Sequence, residues 1–190
     1  MNKTKLVNCF LSGRRKSISK YENQTEELQS KVLQKLIHQA IHTEWGQTHG
    51  FAQVNDYNSF TKTSPISTYE ELKGYIDRMR RGEKDVLWSG KVRWYAKSSG
   101  TTNDKSKFIP VSKECLQDTH YRGGTDAVAL YLGQNPRSRM FDGKALILGG
   151  SHSPNYNLPH SLVGDLSAIL IENVSPFVNH SVFPPKKSHY

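Results

Sequence analysis

A hydroxyl-rich segment between two apolar, strand-like stretches constrains this chain more than any other feature. Residues 97–107 read KSSGTTNDKSK, with the apolar stretches 92–96 before them and 108–111 after them. Hydroxyl and backbone N–H groups donate hydrogen bonds to phosphate oxygens, glycine lets the backbone come close, and lysine offsets anionic charge. The segment therefore predicts a polyphosphate-binding loop.

The competing interpretation is an ordinary hairpin turn, because serine, threonine, asparagine and glycine are common turn residues. Two serines, a glycine, two threonines and a lysine five residues after the second threonine are more than a turn requires. The loop is not a Walker loop, since G-x-x-x-x-G-K-[ST] does not occur in the sequence, and G-x-G-x-x-G is absent as well. We therefore favour a phosphate site of another type.

Further segments follow one another in a distinctive order over roughly residues 20 to 185. They are TEWG at 43–46, HGF at 49–51, Phe60, SPISTYEELK at 64–73, YI at 75–76, FIP at 108–110, YRGG at 121–124, GKALILGGSH at 143–152 and GDLSA at 164–168. Together with the loop, they resemble the Gretchen Hagen (auxin-responsive) family of acyl-acid amido synthetases, and most closely its bacterial members. The loop itself resembles the phosphate-binding motif of acyl-adenylate-forming enzymes.

The resemblance implies an α/β fold in which helices pack on a mixed sheet, as an incomplete N-terminal part of the large domain of an adenylate-forming enzyme. It also implies an ATP-dependent ligase. Such enzymes join a carboxylic acid to AMP with release of pyrophosphate, and an amino acid amine then attacks to form an amide. The expected cofactor is ATP with Mg²⁺, and the expected partners are a small carboxylic acid and an amino acid.

The resemblance carries site residues over to this sequence. The residues that would hold the ATP phosphates are Ser98, Ser99, Gly100, Thr101 and Thr102. Lys107 would be the charged catalytic partner, and no metal ligand is assigned. Many relatives carry a glycine pair where this chain has Asn103 and Asp104, so Asp104 adds a negative charge that Lys105 can neutralise.

The family's later motifs for adenine, ribose and metal, and its mobile C-terminal domain, are not found in these 190 residues. We therefore expect an N-terminal portion of the enzyme, inactive by itself. Residues 1–20 are expected to be a basic, disordered tail, and residues 21–190 the N-terminal part of the large domain.

The formal net charge of +9 is concentrated at the start of the chain. Six basic residues precede the first acid, Glu22: Lys3, Lys5, Arg14, Arg15, Lys16 and Lys20. A solvated chain end explains this better than a nucleic-acid interface, since aromatic residues do not alternate with the basic ones. Two alternatives stay open: an adenylating ligase that transfers the acyl group to coenzyme A, and a non-catalytic basic nucleic-acid-binding protein.

Cysteine and apolar patterns predict the compartment. No stretch approaches the ~20 apolar residues that span a membrane, and the short apolar piece 6–11 is no signal peptide. Cys9 and Cys115 form no metal or redox motif, which predicts reduced thiols in a cytoplasmic protein without a membrane partner. The oligomeric state is not predicted.

Periodicity predicts the main elements. Apolar residues at helical spacing over 28–41 predict a buried helix face, with Asn23 as its cap. A capping box at Ser67 and Glu70 predicts a second helix that stops at Gly82. Residues 86–96 and 108–111 are expected to be extended, residues 112–132 helical, and 145–148 a buried parallel strand.

The sequence allows two interpretations for each of two further residues, His152 and Arg122. His152 follows the apolar run 145–148, where open sheets bind ligands, but a loop histidine bonded to backbone is favoured. Arg122 either pairs with an acyl carboxylate or is a surface residue.

Overall fold

The computed structural model describes residues 3–98, 106–174 and 182–183. Its α-helices are α1 (Lys3–Phe10), α2 (Ser12–Ile18), α3 (Thr25–Ala40), α4 (Glu44–Thr48), α5 (Tyr57–Thr63), α6 (Tyr69–Arg80), α7 (Arg122–Gln134) and α8 (Leu166–Asn173). A π-helix, Cys115–Tyr121, runs directly into α7, and single 3₁₀ turns lie at Ser19–Glu22, Phe51–Gln53 and Pro154–Tyr156. The strands are β1 (Trp94–Lys97), β2 (Phe108–Val111), β3 (Ala145–Leu146), β4 (Leu162–Gly164) and β5 (Val182–Phe183).

The chain forms two compact units, each built from separate stretches of sequence. The hairpin unit comprises Gln24–Lys113 and His152–Asp165. The helical unit comprises Met1–Asn23, Glu114–Ser151 and Leu166–Tyr190.

A three-stranded mixed sheet organises the hairpin unit. Its order is β2-β1-β4, with β1 antiparallel to β2 and parallel to β4. Lys97 is opposite Phe108, and Ala96 is opposite both Ile109 and Gly164. The carboxyl ends of β1 and β4 therefore lie at one edge of the sheet, together with the amino end of β2. The predicted fold class, helices packed on a mixed sheet, is confirmed.

Helix α6 packs its apolar face against this sheet. Tyr95 on β1 is completely buried and contacts Ile76 and Met79. The other buried members of the cluster are Val86, Val92 and Val163. Each large side chain contributes about 1.5–3 kcal/mol by leaving water. The inward face predicted for the second helix is confirmed.

The start of α6 lies one residue later than the sequence indicated. The capping box pairs Thr68 with Glu71, instead of Ser67 with Glu70. The Glu71 carboxylate accepts from the Thr68 N–H at 2.6 Å, and these hydrogen bonds lower the pKa of Glu71. Both pairs have the capping spacing, and the Thr68 pair is the one that forms. Gly82, at φ +97°, ends this region as predicted.

Helix α3 buries only part of its predicted apolar face. Ile37 and Ala40 pack with Phe51, whereas Val32 and Leu36 are 57% and 45% exposed. The predicted cap is wrong, because Gln24 occupies the N-cap position and no side chain caps the helix. In a 16-residue helix, packing of one narrow stripe is enough to support the structure.

The segment expected to be a disordered tail contains α1 and α2 in the structure. Leu11 packs against Ala129 and Leu132 of α7. The buried Thr4 bonds through its N–H and hydroxyl to the Asp142 carboxylate, at 3.2 and 2.9 Å. Apolar burial and specific polar contacts thus order a segment whose charge suggested solvation.

The predicted parallel strand at 145–148 is short and exposed. β3 pairs in parallel with β5, which confirms its direction. Leu146 and Leu148 are 67% and 86% exposed, so the expectation of burial is wrong for these side chains. The extended stretch expected at 86–96 forms a strand only from Trp94 onward.

Candidate phosphate-binding site

The hydroxyl-rich loop connects the two strands of an antiparallel hairpin. β1 ends at Lys97 and β2 begins at Phe108. The Ser98 N–H donates to the Lys107 carbonyl at 3.0 Å, and the Lys107 N–H donates to the Ser98 hydroxyl at 3.4 Å. The two ends of the loop are therefore held together. Among the predicted site residues, the structure describes Ser98 and Lys107 and brings them into contact.

The remaining predicted phosphate ligands lie outside the described residues. They are Ser99, Gly100, Thr101 and Thr102. Their roles stay predictions.

Tyr69, the first residue of α6, anchors the exit of the loop. Its hydroxyl accepts a hydrogen bond from the Phe108 N–H at 2.9 Å. The exposed Lys107 places its ammonium nitrogen 5.4 Å from the centroid of the Tyr69 ring, within range of a cation–π attraction. The helix start and the strand start are thus joined at the point where the loop ends.

Arg80, the last residue of α6, lies under the hairpin and is only 9% exposed. Its guanidinium carbon lies 3.9 Å from the centroid of the Phe108 ring, and Nη2 donates to the Tyr156 carbonyl at 2.7 Å. Within the described residues, the buried Arg80 Nε has no hydrogen-bond partner. Burial raises the pKa of the nearby Tyr95 hydroxyl to about 12, and the Arg80 charge opposes that rise.

Lys97 lies at the entrance of the loop. Its ammonium nitrogen is 4.4 Å from the centroid of the Tyr156 ring, and that ring lies 5.7 Å from the Phe108 ring. In the part of the chain that the structure describes, Arg80, Lys97 and Lys107 form no ion pair with a carboxylate. The loop base, defined by Arg80, Lys97 and Lys107, thus has three cations that lie on aromatic rings. This arrangement is suited to binding an anion.

The structure shows the contacts of His152 and Arg122, the two residues for which the sequence allowed two interpretations. His152 forms a backbone bridge with Gly164, and its ring lies 5.7 Å from the Trp94 ring. Arg122 lies 3.5 Å from the Asp118 carboxylate in the helical unit. It lines an open depression of about 310 Å³ together with Arg14, Gln117, Tyr121 and Thr125.

The described residues also bear on metal sites and on membrane-spanning segments. No group of three or more histidine, cysteine, aspartate or glutamate side chains there could hold a metal ion. In the same residues, no helix has the length and apolar character to cross a membrane.

Comparison with protein families decides the relationship. The model of the GH3 family N-terminal domain matches residues 14–183. The chain belongs to the GH3 family.

Curated relatives of this GH3 chain include two plant enzymes. It is 32% identical over 108 residues to the jasmonoyl–L-amino acid synthetase JAR6 of Nicotiana attenuata, which covers 55% of this chain and 19% of that protein. It is 32% identical over 93 residues to the indole-3-acetic acid-amido synthetase GH3.15 of Arabidopsis thaliana, covering 48% and 16%. Each of these sequence matches thus spans less than a fifth of the relative's length.

A solved structure shows the same fold. The AtGH3.15 acyl acid amido synthetase in complex with 2,4-DB superposes with a TM-score of 0.69 at 23% identity. The match covers 87% of this chain and 29% of the other. Most of the GH3 chain therefore has the fold of the corresponding part of a GH3 synthetase.

Sequence reasoning missed three side chains that support the loop: Tyr69, Arg80 and Tyr156. Tyr69 lies in the segment STYEELK, which the sequence analysis used for the family resemblance and as a helix start but not as part of the site. Arg80 and Tyr156 are 76 residues apart and meet only when α6 packs under the sheet. Local patterns contain no signal for such a contact.

Proposed function

We propose that this GH3 chain provides the ATP-phosphate-binding part of an acyl-acid amido synthetase. The complete activity is adenylation of a small carboxylic acid and its conjugation to an amino acid. The proposal is carried by one observation at the loop base. The hydroxyl-rich loop begins and ends with lysines that pair with no carboxylate among the described residues. On the segment resemblance, we assign the chain to the bacterial members of the family, and residues 21–190 to the large domain.

The roles follow from the chemistry of each group. Ser98 and Ser99 donate hydroxyl hydrogen bonds to phosphate oxygens, as do Thr101 and Thr102, and Gly100 admits the phosphates to the backbone N–H groups. Lys107 places a positive charge at the loop exit and stabilises the charge of the leaving pyrophosphate. ATP would supply the adenylyl group that activates the carboxylic acid, and it is expected with Mg²⁺.

The fit between the site and ATP has a physical basis in the structure. Cations without carboxylate partners in the described residues attract an anion more strongly than paired cations, because no internal charge competes for them. Each hydrogen bond to a charged group contributes about 1.5–3 kcal/mol. Three or four such bonds support a micromolar site, about 8 kcal/mol.

The amino acid is preferred as acyl acceptor over coenzyme A. Both curated relatives above are named as amino acid or amido synthetases. Transfer to coenzyme A is the alternative. Supplying a complete synthetase that carries this segment with both an amino acid and coenzyme A, and identifying the product as an amide or a thioester, separates the two.

The nucleic-acid alternative is disfavoured by the use of the basic N-terminal segment. Arg14 donates to both carboxylate oxygens of Asp126, at 2.5 and 2.7 Å. Arg15 donates to the Asn8 side chain at 2.8 Å. The Arg14 charge is therefore paired within the chain, and the Arg15 side chain is held by an intramolecular contact. Nucleic-acid binding that falls steeply with salt and vanishes without residues 1–20 would favour the alternative.

Replacement of Lys107 by alanine tests the proposed function. We expect the affinity for ATP, measured by calorimetric titration of the chain, to fall about tenfold, because one charged contact to the phosphates is lost. In a complete synthetase that carries this segment, acid-dependent pyrophosphate release should slow.

Lys91→Ala is the matched control, since Lys91 is an exposed lysine just before β1. It should bind ATP like the wild type. Equal ATP affinity in Lys107→Ala and the wild type would remove Lys107 from its assigned role. A wild-type chain that binds no ATP would overturn the proposed function.

A further inference from the structure

Lys97 is the cation at the loop base to which the proposed function assigns no role of its own. Side chains alternate along a strand, so Lys97 shares the face of the buried Tyr95. Its side chain is half-buried, and its ammonium nitrogen rests 4.4 Å from the Tyr156 ring centroid. The ring contact holds the charge in one place while leaving its N–H donors available, because a ring face attracts a cation without accepting strong hydrogen bonds.

The position of Tyr156 is itself determined by two contacts. Arg80 donates to the Tyr156 carbonyl at 2.7 Å, and the Phe108 ring packs 5.7 Å from the Tyr156 ring. Phe108 is directly opposite Lys97 across the β1–β2 pair. The Tyr156 ring therefore lies near Lys97 at the entrance of the loop and near Phe108 at its exit, which places the Lys97 ammonium at the two ends of the loop.

The positive charges of Arg80 and Lys97, which lie close to Tyr156, favour binding of an anion. Arg80 is nine-tenths buried, and its Nε lacks a hydrogen-bond partner within the described residues. Arg80 contacts the Tyr156 backbone carbonyl and Lys97 contacts the Tyr156 ring, so two positive charges lie near one residue. Like charges in a partly dry environment repel unless a counter-charge is present, and none of the described carboxylates pairs with either.

We propose that Lys97 is a second phosphate-binding residue and that Tyr156 is its positioning residue. This inference rests on the proposed function and extends it. Lys97 precedes the loop and Lys107 follows it, and their ammonium groups lie on different rings, those of Tyr156 and Tyr69. The proposal gives each ammonium group a different phosphate of one polyphosphate chain, and it therefore predicts selectivity for a nucleoside triphosphate over a single phosphate group.

The test is titration of the 190-residue chain with ATP, AMP and inorganic tripolyphosphate in magnesium-containing buffer. Lys97→Met keeps the aliphatic stem and removes the charge. We expect about tenfold weaker binding of ATP and tripolyphosphate, or about 1.4 kcal/mol, and less than a threefold change for AMP. Lys97→Arg should stay within about threefold of the wild type.

Two variants separate positioning from simple packing. Tyr156→Phe keeps the ring and should bind ATP like the wild type. Tyr156→Leu keeps the backbone carbonyl that accepts from Arg80 but removes the ring. It should weaken ATP binding about threefold, with a melting temperature close to that of Tyr156→Phe. Lys91→Met is the charge control and should leave all three affinities unchanged.

Each outcome has one meaning. Binding in the wild type that weakens in Lys107→Ala but not in Lys97→Met overturns this inference alone. A wild type that binds neither ATP nor tripolyphosphate overturns the proposed function and this inference together. Equal losses for AMP and ATP would contradict the assignment of Lys97 to a separate phosphate. If Lys97→Met does not fold by its melting curve, the Tyr156→Leu titration decides: ATP affinity equal to that of Tyr156→Phe would overturn the inference.

Discussion

The two units differ in the partners of their positively charged side chains. In the helical unit, arginines meet acids: Arg14 pairs with Asp126, Arg122 with Asp118 and Arg139 with Asp142. At the loop base of the hairpin unit, the described cations Arg80, Lys97 and Lys107 lie on aromatic rings instead.

The difference separates structural charges from charges kept for a ligand. Away from the loop, the hairpin unit also pairs its charges, since Arg78 contacts both Glu44 and Glu83 and lowers the pKa of each. A carboxylate beside the loop would compete with phosphate for the same cations. An aromatic ring positions a cation without neutralising it.

The largest effect is expected from Tyr95→Ala in the hairpin unit. Tyr95 is completely buried in the cluster between α6 and the sheet, so its loss should lower the free energy of unfolding by about 3–5 kcal/mol. Leu132→Ala is the comparison in the helical unit, where the buried cluster is smaller, and about 2–3 kcal/mol is expected. Urea unfolding measures both, and a larger loss in Leu132→Ala would reverse the comparison.

Tyr95→Phe is the control, because it removes only a buried hydroxyl that has no partner in the described residues. Stability at neutral pH should be unchanged or slightly higher. In the wild type, the pKa of Tyr95 is raised to about 12 by burial, above the unfolded value of about 10. Stability should therefore fall as pH rises from about 10 to 12, and the phenylalanine variant should lack this part of the loss.

Asp126→Asn tests the structural role of a charge pair in the helical unit, with an intermediate effect. The side chains of Arg14 and Asp126 are 24% and 19% exposed, so their separation should cost about 1–2 kcal/mol at neutral pH. Arg14 lowers the pKa of Asp126. The contribution is thus present above the unfolded pKa of about 4 and is lost as pH falls below it.

The control is Glu27→Gln, since Glu27 contacts Lys31 with side chains that are 59% and 68% exposed. A change below about 0.5 kcal/mol is expected there. Thermal unfolding between pH 2 and 7 provides the data. An Asp126→Asn variant as stable as the wild type at pH 7 would show that this pair does not stabilise the helical unit.

The smallest effect is expected from glycine replacements within helices. Gly74 of α6 and Gly124 of α7 both have open space where a Cβ would lie. Alanine at either position should stabilise its unit by about 0.5–1 kcal/mol, through better helix propensity. Gly82→Ala is the opposite control, because φ is +97° and the new Cβ would lie 2.6 Å from the His160 ring. A destabilised Gly124→Ala, judged from its melting temperature, would indicate that another group approaches this face of α7.

Local signals predicted much of the fold. The hydroxyl-rich run between apolar stretches indicated the β1–loop–β2 arrangement, and helical periodicity placed the inward face of α6. Such signals are recoverable because turn chemistry, capping and alternation involve residues within a few positions of each other. They failed where two nearby residues offered the same chemistry, as at the cap of α6.

By itself, the sequence determined the family resemblance and the mixed α/β class, and it predicted Ser98 and Lys107 as site residues. Tertiary structure alone decided that β1 pairs in parallel with β4, that the basic N-terminal segment is helical, and that Arg80 and Tyr156 support the loop. The physical reason is distance along the chain. A contact across 76 residues depends on how whole elements pack, and no local pattern records it.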